Sequence, residues 1–153
     1  MRNIVIAGNW KMHKTKEETE QFLAEVKDIE LKDGVEALVC APFPYLLTAV
    51  NLTENSKINV GAQTMHFEKN GAFTGEVSPV MLQDVGVSHV IIGHSERREY
   101  FNETDETVNK KVIAAHEHHL IPIVCVGETL EQRDASETLS HIENQVVAAL
   151  QNL

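Results

Sequence analysis

Five short apolar runs, each followed by a stretch whose apolar residues recur at helical spacing, set the pattern of this 153-residue chain. The first run, Asn3-Ile4-Val5-Ile6-Ala7-Gly8, predicts a strand and leads directly into Asn9-Trp10-Lys11. Thr15 and Glu18 have the spacing of a capping box, Phe22, Val26 and Ile29 then fall on one helical face, and Gly34 closes that helix. Val35 to Ala41 predicts a second strand, which runs into Pro42-Phe43-Pro44 and a helix from Tyr45 to Leu52. A third strand, Ile58 to Gln63, precedes about a dozen residues with neither periodicity, the one long loop of the chain. Ser78 and Pro79 open the next helix, the hydroxyl as cap and the proline where its missing N–H does no harm, and Gly86 ends it.

Val87 to Gly93 predicts the fourth strand, and Val108, Val112 and Ala115 mark the inner face of a helix extending towards His119. The fifth strand runs from Ile121 to Gly127, with Pro122 near its start, where a lost ladder hydrogen bond matters least. A final helix carries Leu139, Ile142, Val146, Val147 and Leu150 on one side. Strands apolar on both faces, alternating with amphipathic helices, predict a parallel α/β sheet covered by helices. An open doubly wound sheet and a barrel both satisfy that pattern. An open sheet more often carries a glycine-rich phosphate loop after its first strand, and Gly8-Asn9-Trp10-Lys11 is not one. With no hydrophilic linker, residues 1–153 read as one domain or part of one.

Composition narrows the function. The formal net charge of −10 argues against nucleic acid as the main partner, and an anionic substrate would need a local cation against this field. The N-terminal apolar run is too short for a signal peptide and no later run approaches membrane-spanning length, so a soluble cytoplasmic protein with no membrane partner is expected. Cys40 and Cys125 lie in separate strand-like runs, which predicts buried free thiols rather than a disulfide or zinc site. His116-Glu117-His118-His119 lacks the two-histidine zinc spacing and reads as a solvated helix end, so no metal is expected.

The fourth strand stops at Gly93 and releases His94-Ser95-Glu96-Arg97-Arg98, a concentration of reactive groups at the edge where parallel sheets bind ligands. Ser95 to Arg98 predicts the first turn of a short helix, whose free N–H groups disfavour an imidazolium at His94 and can engage a ring lone pair. The other ring nitrogen would then donate to a developing oxyanion. Lys11, just past the first strand, is the required cation, with Asn9 beside it. Glu96 reads as its ion-pair partner rather than a general base, and Glu128 with Thr129 as a cap on the turn after the fifth strand.

Gly8-Asn9-Trp10-Lys11-Met12, Gly71-Ala72-Phe73-Thr74-Gly75-Glu76, Gly93-His94-Ser95-Glu96-Arg97-Arg98 and Cys125-Val126-Gly127-Glu128 together resemble the triosephosphate isomerase family in order and spacing. The resemblance implies a TIM (β/α) barrel of which residues 1–153 hold the first five of eight strand-helix units, a single incomplete barrel domain. It also implies interconversion of dihydroxyacetone phosphate and glyceraldehyde 3-phosphate through an enediolate, with no cofactor, by a homodimer when complete. Carried over, His94 polarises the substrate carbonyl, its neutral ring being a property already known of that family. Lys11 is catalytic and substrate-binding, Asn9 positions substrate, Glu96 supports Lys11 and Ser95 helps hold the site. Phe73, Thr74 and Gly75 resemble a loop tip that docks into a neighbouring subunit. The family's general base and phosphate loops follow later strands, so they are expected to be absent from this chain, which alone should be nearly inactive. A non-catalytic half-barrel that acts as an assembly module is the alternative, and another phosphosugar-binding barrel a third reading.

Overall fold

Every strand of the computed structural model, which describes residues 1–153, hands on to helix before the next strand begins. The order is β1 (Ile4–Asn9), α1 (Lys16–Val26), β2 (Val35–Ala41), α2 (Leu46–Leu52), β3 (Ile58–Ala62), α3 (Pro79–Val85), β4 (His89–Ile92), α4 (Ser95–Tyr100), α5 (Asp105–Glu117), β5 (Ile121–Val124), α6 (Leu130–Asp134) and α7 (Thr138–Ala149). The caps read from sequence are made. Thr15 Oγ1 accepts from Glu18 N at 3.3 Å while Glu18 Oε1 accepts from Thr15 N at 3.2 Å, and Ser78 Oγ accepts from Met81 N at 3.1 Å. Gly86 terminates α3 in the left-handed region, at φ +97°. Some boundaries differ from expectation: α1 stops at Val26, so Ile29 lies beyond it, and Gly34 turns the chain into β2 instead of closing the helix, while β4 and β5 are shorter than their apolar runs, β5 ending at Val124 and not at Gly127.

The strands pair in parallel in the order β1-β2-β3-β4-β5. A doubly wound sheet reverses its order at a switch point, which sends helices to both faces. A strictly sequential order puts every right-handed crossover on the same face. The register adds a shear: the row Asn9, Cys40, Gly61, His89, Ile121 joins the last residue of β1 to the first of β5. One-sided helices and a sheared sheet are the geometry of a barrel wall, and the chain forms a half-barrel.

The main core lies between sheet and helices. Val39, Ala41, Val60, Ala62, Val90 and Ile92 face Leu23, Leu46, Leu82, Val108 and Val112 in a single cluster of buried apolar residues. The other face is thinner, and here the expectation of strands apolar on both faces needs correction. Leu38, Cys40 and Ile91 form a small cluster with Ile123 and Cys125, but the alternation also brings Glu36, Asn59 and His89 to that face. Ile4 and Ile6 of β1 lie in register with Val35 and Ala37, on the helix side of the sheet, and are 60% and 61% exposed because no helix packs over this edge strand. The apolar stripe of α7 likewise stays open: that helix packs along α5 through Gln145 and Ala149, leaving Leu139 86% exposed. Burial pushes the Cys40 thiol up to about 12, with the nearby Cys125 adding to the effect, which makes Cys40 unreactive at neutral pH. Cys125 is free but only half-buried, short of the full burial expected. No helix is long and apolar enough to cross a membrane.

Leu23 is fully buried on α1, so Leu23→Ala should lower unfolding stability by about 2–5 kcal/mol in urea titrations. Leu139→Ala, on the open face of α7, should change it by less than about 0.5 kcal/mol.

Candidate active site

Parallel pairing brings the C-terminal ends of all the strands to one rim, and a cleft of about 360 Å³ opens there. Its lining includes Asn9 and Lys11 from the end of β1, Gln63 and Thr64 from the end of β3, and His94, Glu96 and Arg97 from the turn after β4. Four residues singled out in the sequence, Asn9, Lys11, His94 and Glu96, thus meet in one place.

Lys11 sits in the left-handed backbone region at φ +54°, an uncommon conformation for a residue with a side chain. Three hydrogen bonds hold it there. Its N–H donates to Asn9 Oδ1 at 3.0 Å, and its carbonyl accepts from Gln63 Nε2 at 2.9 Å. The same Gln63 amide donates to Cys40 O at 2.9 Å, tying the Lys11 turn to β2. The ammonium then reaches across the cleft to Glu96 Oε1 at 2.6 Å. That hydrogen bond and the attraction of Lys11 hold the Glu96 carboxyl below the usual carboxylate range. Glu96 is therefore an ionised partner of Lys11, as its sequence context predicts.

His94 caps α4. Its Nδ1 accepts a hydrogen bond from Glu96 N at 3.1 Å, which requires a lone pair on that nitrogen. The ring proton therefore sits on Nε2, available to an acceptor in the cleft. Ser95, the first residue of α4, is exposed and lines a second cavity of about 220 Å³ with Gly93, Arg98, Cys125 and Gly127, and His94 borders both cavities. Glu128 precedes Thr129, whose hydroxyl accepts from Gln132 N at 3.2 Å to cap α6 while Gln132 Oε1 accepts from Thr129 N at 2.9 Å; this capping box is made without the Glu128 side chain. Phe73, Thr74 and Gly75 stand at the exposed tip of the long loop, away from the cleft lining. That loop packs on itself: His66 stacks with Phe67 and Phe73 at ring-centroid distances of 4.3 Å each.

Among the other residues that line the cleft, Gln63 and Arg97 bear most on its chemistry. In the sequence Gln63 is only the last residue of a predicted strand, although an amide at the rim matches Asn9 in position and kind. Arg97 adds a second cation to the cleft, its guanidinium 5.1 Å above the Phe101 ring and its Nε 3.8 Å from the buried Glu103 carboxylate. Lys11 and Arg97 give this rim a local positive character within a chain of net charge −10. The arrangement can bind a small anion and stabilise negative charge on a substrate oxygen through an ammonium and an imidazole N–H.

Comparison with known proteins points the same way. The family model described as triosephosphate isomerase matches residues 4–153. Triosephosphate isomerase of Alkaliphilus metalliredigens (strain QYMF) is 54% identical over 153 residues, covering 100% of this chain and 62% of that protein. The crystal structure of triosephosphate isomerase from Bartonella henselae superposes with a TM-score of 0.88 at 39% identity, covering 98% of this chain and 62% of the other. The chain thus spans about three fifths of the length of the relatives it matches.

The Glu96 carboxyl should titrate below the ordinary glutamate range. A depressed value in the fold means that the ion pair is intact above the ordinary carboxylate pKa and is lost only as pH falls through the lowered one. Carboxyl carbon NMR should show this, and Lys11→Met should return Glu96 towards the ordinary value. Gln63→Ala removes the side-chain donor to Lys11 O and one of the two donors to Cys40 O, which keeps Trp10 N–H, and should cost about 0.5–1.5 kcal/mol in urea unfolding. It should also raise the Glu96 titration as Lys11 leaves its position.

Proposed function

The chain belongs to the triosephosphate isomerase family, and on that premise we propose that its cleft is the charge-stabilising half of an isomerase site for triose phosphates. The observation that carries the reading is the convergence of the Lys11 ammonium and the His94 ring on one cleft, with Glu96 fixing the first and its backbone N–H the second.

The reaction interconverts dihydroxyacetone phosphate and glyceraldehyde 3-phosphate by moving a proton between adjacent carbons. Removing a carbon-bound proton leaves an enediolate, and the barrier depends on how well its oxygens are stabilised. The Nε2–H of His94 donates to the carbonyl oxygen as negative charge grows there, and a neutral imidazole can in turn give up that proton. Lys11 stays protonated, opposes the enediolate charge and attracts the phosphate, while Arg97 adds to the field that draws a dianion in. Asn9 holds the Lys11 turn and faces the substrate. No metal or cofactor enters this scheme.

The scheme also requires a base poised over the substrate carbon. Glu96 does not fill that role, since its carboxylate is engaged by Lys11 and kept weakly basic. We assign the base to the part of the barrel that the relatives' greater length includes, and with it the loops that grip the phosphate. The 153 residues alone then turn over substrate slowly, and the active form is a cytoplasmic homodimer with the Phe73-Thr74-Gly75 tip at its interface.

A second reading has its own observation. The exposed apolar residues of β1 and α7, Ile4, Ile6, Leu139 and Val147, suit a half-barrel that assembles with another chain. A soluble monomer at high concentration in size-exclusion chromatography counts against this reading.

In a coupled spectrophotometric assay, the protein completed to the length of its relatives should isomerise triose phosphates, and the 153-residue chain should be slower by about 10²–10⁴-fold for want of the base. In the completed protein His94→Gln should lower kcat by about 10²–10³-fold, and Lys11→Met should lower kcat/KM at least as far. Equal turnover by the short and completed forms would contradict the assignment of the base.

A further inference from the structure

Gly93 lies between the end of β4 and His94, and both of its backbone polar groups are taken by side chains. Its N–H donates to Glu103 Oε2 at 3.0 Å, and its carbonyl accepts from Arg98 Nε at 2.9 Å. Each of these side chains is itself anchored. Glu103 is 3% exposed and pairs with the buried Lys111, which also donates to Thr64 Oγ1 at 3.3 Å. Arg98 donates through Nη1 to Asp105 Oδ1 at 2.6 Å, at the first residue of α5. The clamp thus runs from the turn to α5, whose Val108, Val112 and Ala115 are buried in the main core.

The backbone at this point leaves no slack. Gly93 has φ +78°, and a side chain there would meet Val108 Cγ2 at 3.0 Å, Arg98 Nη2 at 3.2 Å and Cys125 O at 3.3 Å. Glycine alone fits, and glycine alone would be free to swing if nothing held its peptide groups. The next residue is His94, whose Nδ1 must meet the Glu96 N–H for the ring to present its Nε2 proton to the cleft.

We propose that Arg98 and Glu103 are positioning residues for His94, fixing the two peptide groups of Gly93 so that the ring is held in its Nε2–H tautomer and aimed at the cleft. The catalytic meaning of this clamp rests on the reading of His94 given above; the clamp itself does not. A misplacement of about 1 Å at a reacting group can cost on the order of 10²-fold in rate, so a device that fixes the residue before it is a functional part. The buried Glu103–Lys111 pair fits this role better than that of a stabiliser, since such pairs are often no more stabilising than an apolar replacement of the same volume.

Nitrogen NMR of the histidine rings in the labelled chain tests this without reference to turnover. In the unaltered protein His94 should show one ring nitrogen protonated, Nε2, and Nδ1 with the shift of a bare acceptor. In Arg98→Met the two resonances should move towards each other, to the averaged positions of a ring exchanging tautomers. Leu82→Ala, buried on α3 and remote from the turn, should lose stability and leave the His94 pattern unchanged. If Arg98→Met does not fold by circular dichroism, Arg98→Lys carries the test: an ammonium cannot serve both Gly93 O and Asp105, and a smaller shift in the same direction is expected. An unmoved His94 pattern in whichever arginine variant folds, or the same collapse in Leu82→Ala, overturns the proposal. Loss of the pattern in the arginine variant alone supports it. An intact clamp in a completed protein without isomerase turnover would overturn the functional reading and leave the positioning role standing.

Discussion

A strand paired in parallel cannot return by a hairpin; the chain must cross over and start again from the same end. Repeated four times in sequential order, this constraint puts every crossover helix on one face and every strand exit on one rim. Asn9, Gln63 and His94 are 54 and 31 residues apart in successive steps along the chain, yet all stand where a strand lets go. The register sets the last residue of β1 level with the first of β5, and the strand exits stay on one rim because the sheet curves as a barrel wall. The Lys11–Glu96 contact spans 85 positions of sequence and follows from that geometry.

Charge is the second organising principle. The chain carries an excess of ten negative charges, which repels an anion at long range, and at physiological salt such a field is screened within about 8 Å. What decides binding is therefore the immediate surroundings. There, two cations and a ring N–H face the cleft while its one carboxylate is consumed by Lys11. An acidic protein can in this way offer a locally cationic pocket without becoming basic overall.

How far the sequence could be read depends on the range of the interaction concerned. The caps at Thr15 and Ser78 were legible because hydroxyl, spacing and apolar run lie within four residues. Asn9, Lys11, His94 and Glu96 were legible because polar groups at the end of apolar runs stand out, and because four segments together resemble one family. Gln63 was not, since its worth lies in two carbonyls 52 and 23 positions away. Glu103 and Lys111 look like ordinary surface charges of a helical stretch, and only the packing of α5 against the turn after β4 buries them. The polarity of Glu36, Asn59 and His89 on the thin face of the sheet was also visible residue by residue, but period-two alternation shows a face only once register is known. The end of α1 is not legible in this way, because Gly34, a common helix terminator, here makes the left-handed turn into β2.

The engagement of Glu96 also explains a division of labour at the rim. A carboxylate that served as proton acceptor from carbon would need a raised pKa and freedom to approach the substrate. Glu96 has neither, because the ammonium beside it lowers its basicity and fixes its oxygen. Freeing it would also release Lys11, whose strained backbone is held at the far end by Gln63 and Asn9 and whose ammonium has Glu96 as its carboxylate partner. The group that holds the positive charge in place thus cannot be the group that removes the proton. In this reading the wall built by β1 to β4 is committed to stabilising charge, and proton removal has to be supplied from elsewhere on the rim, by a side chain left unpaired until substrate arrives.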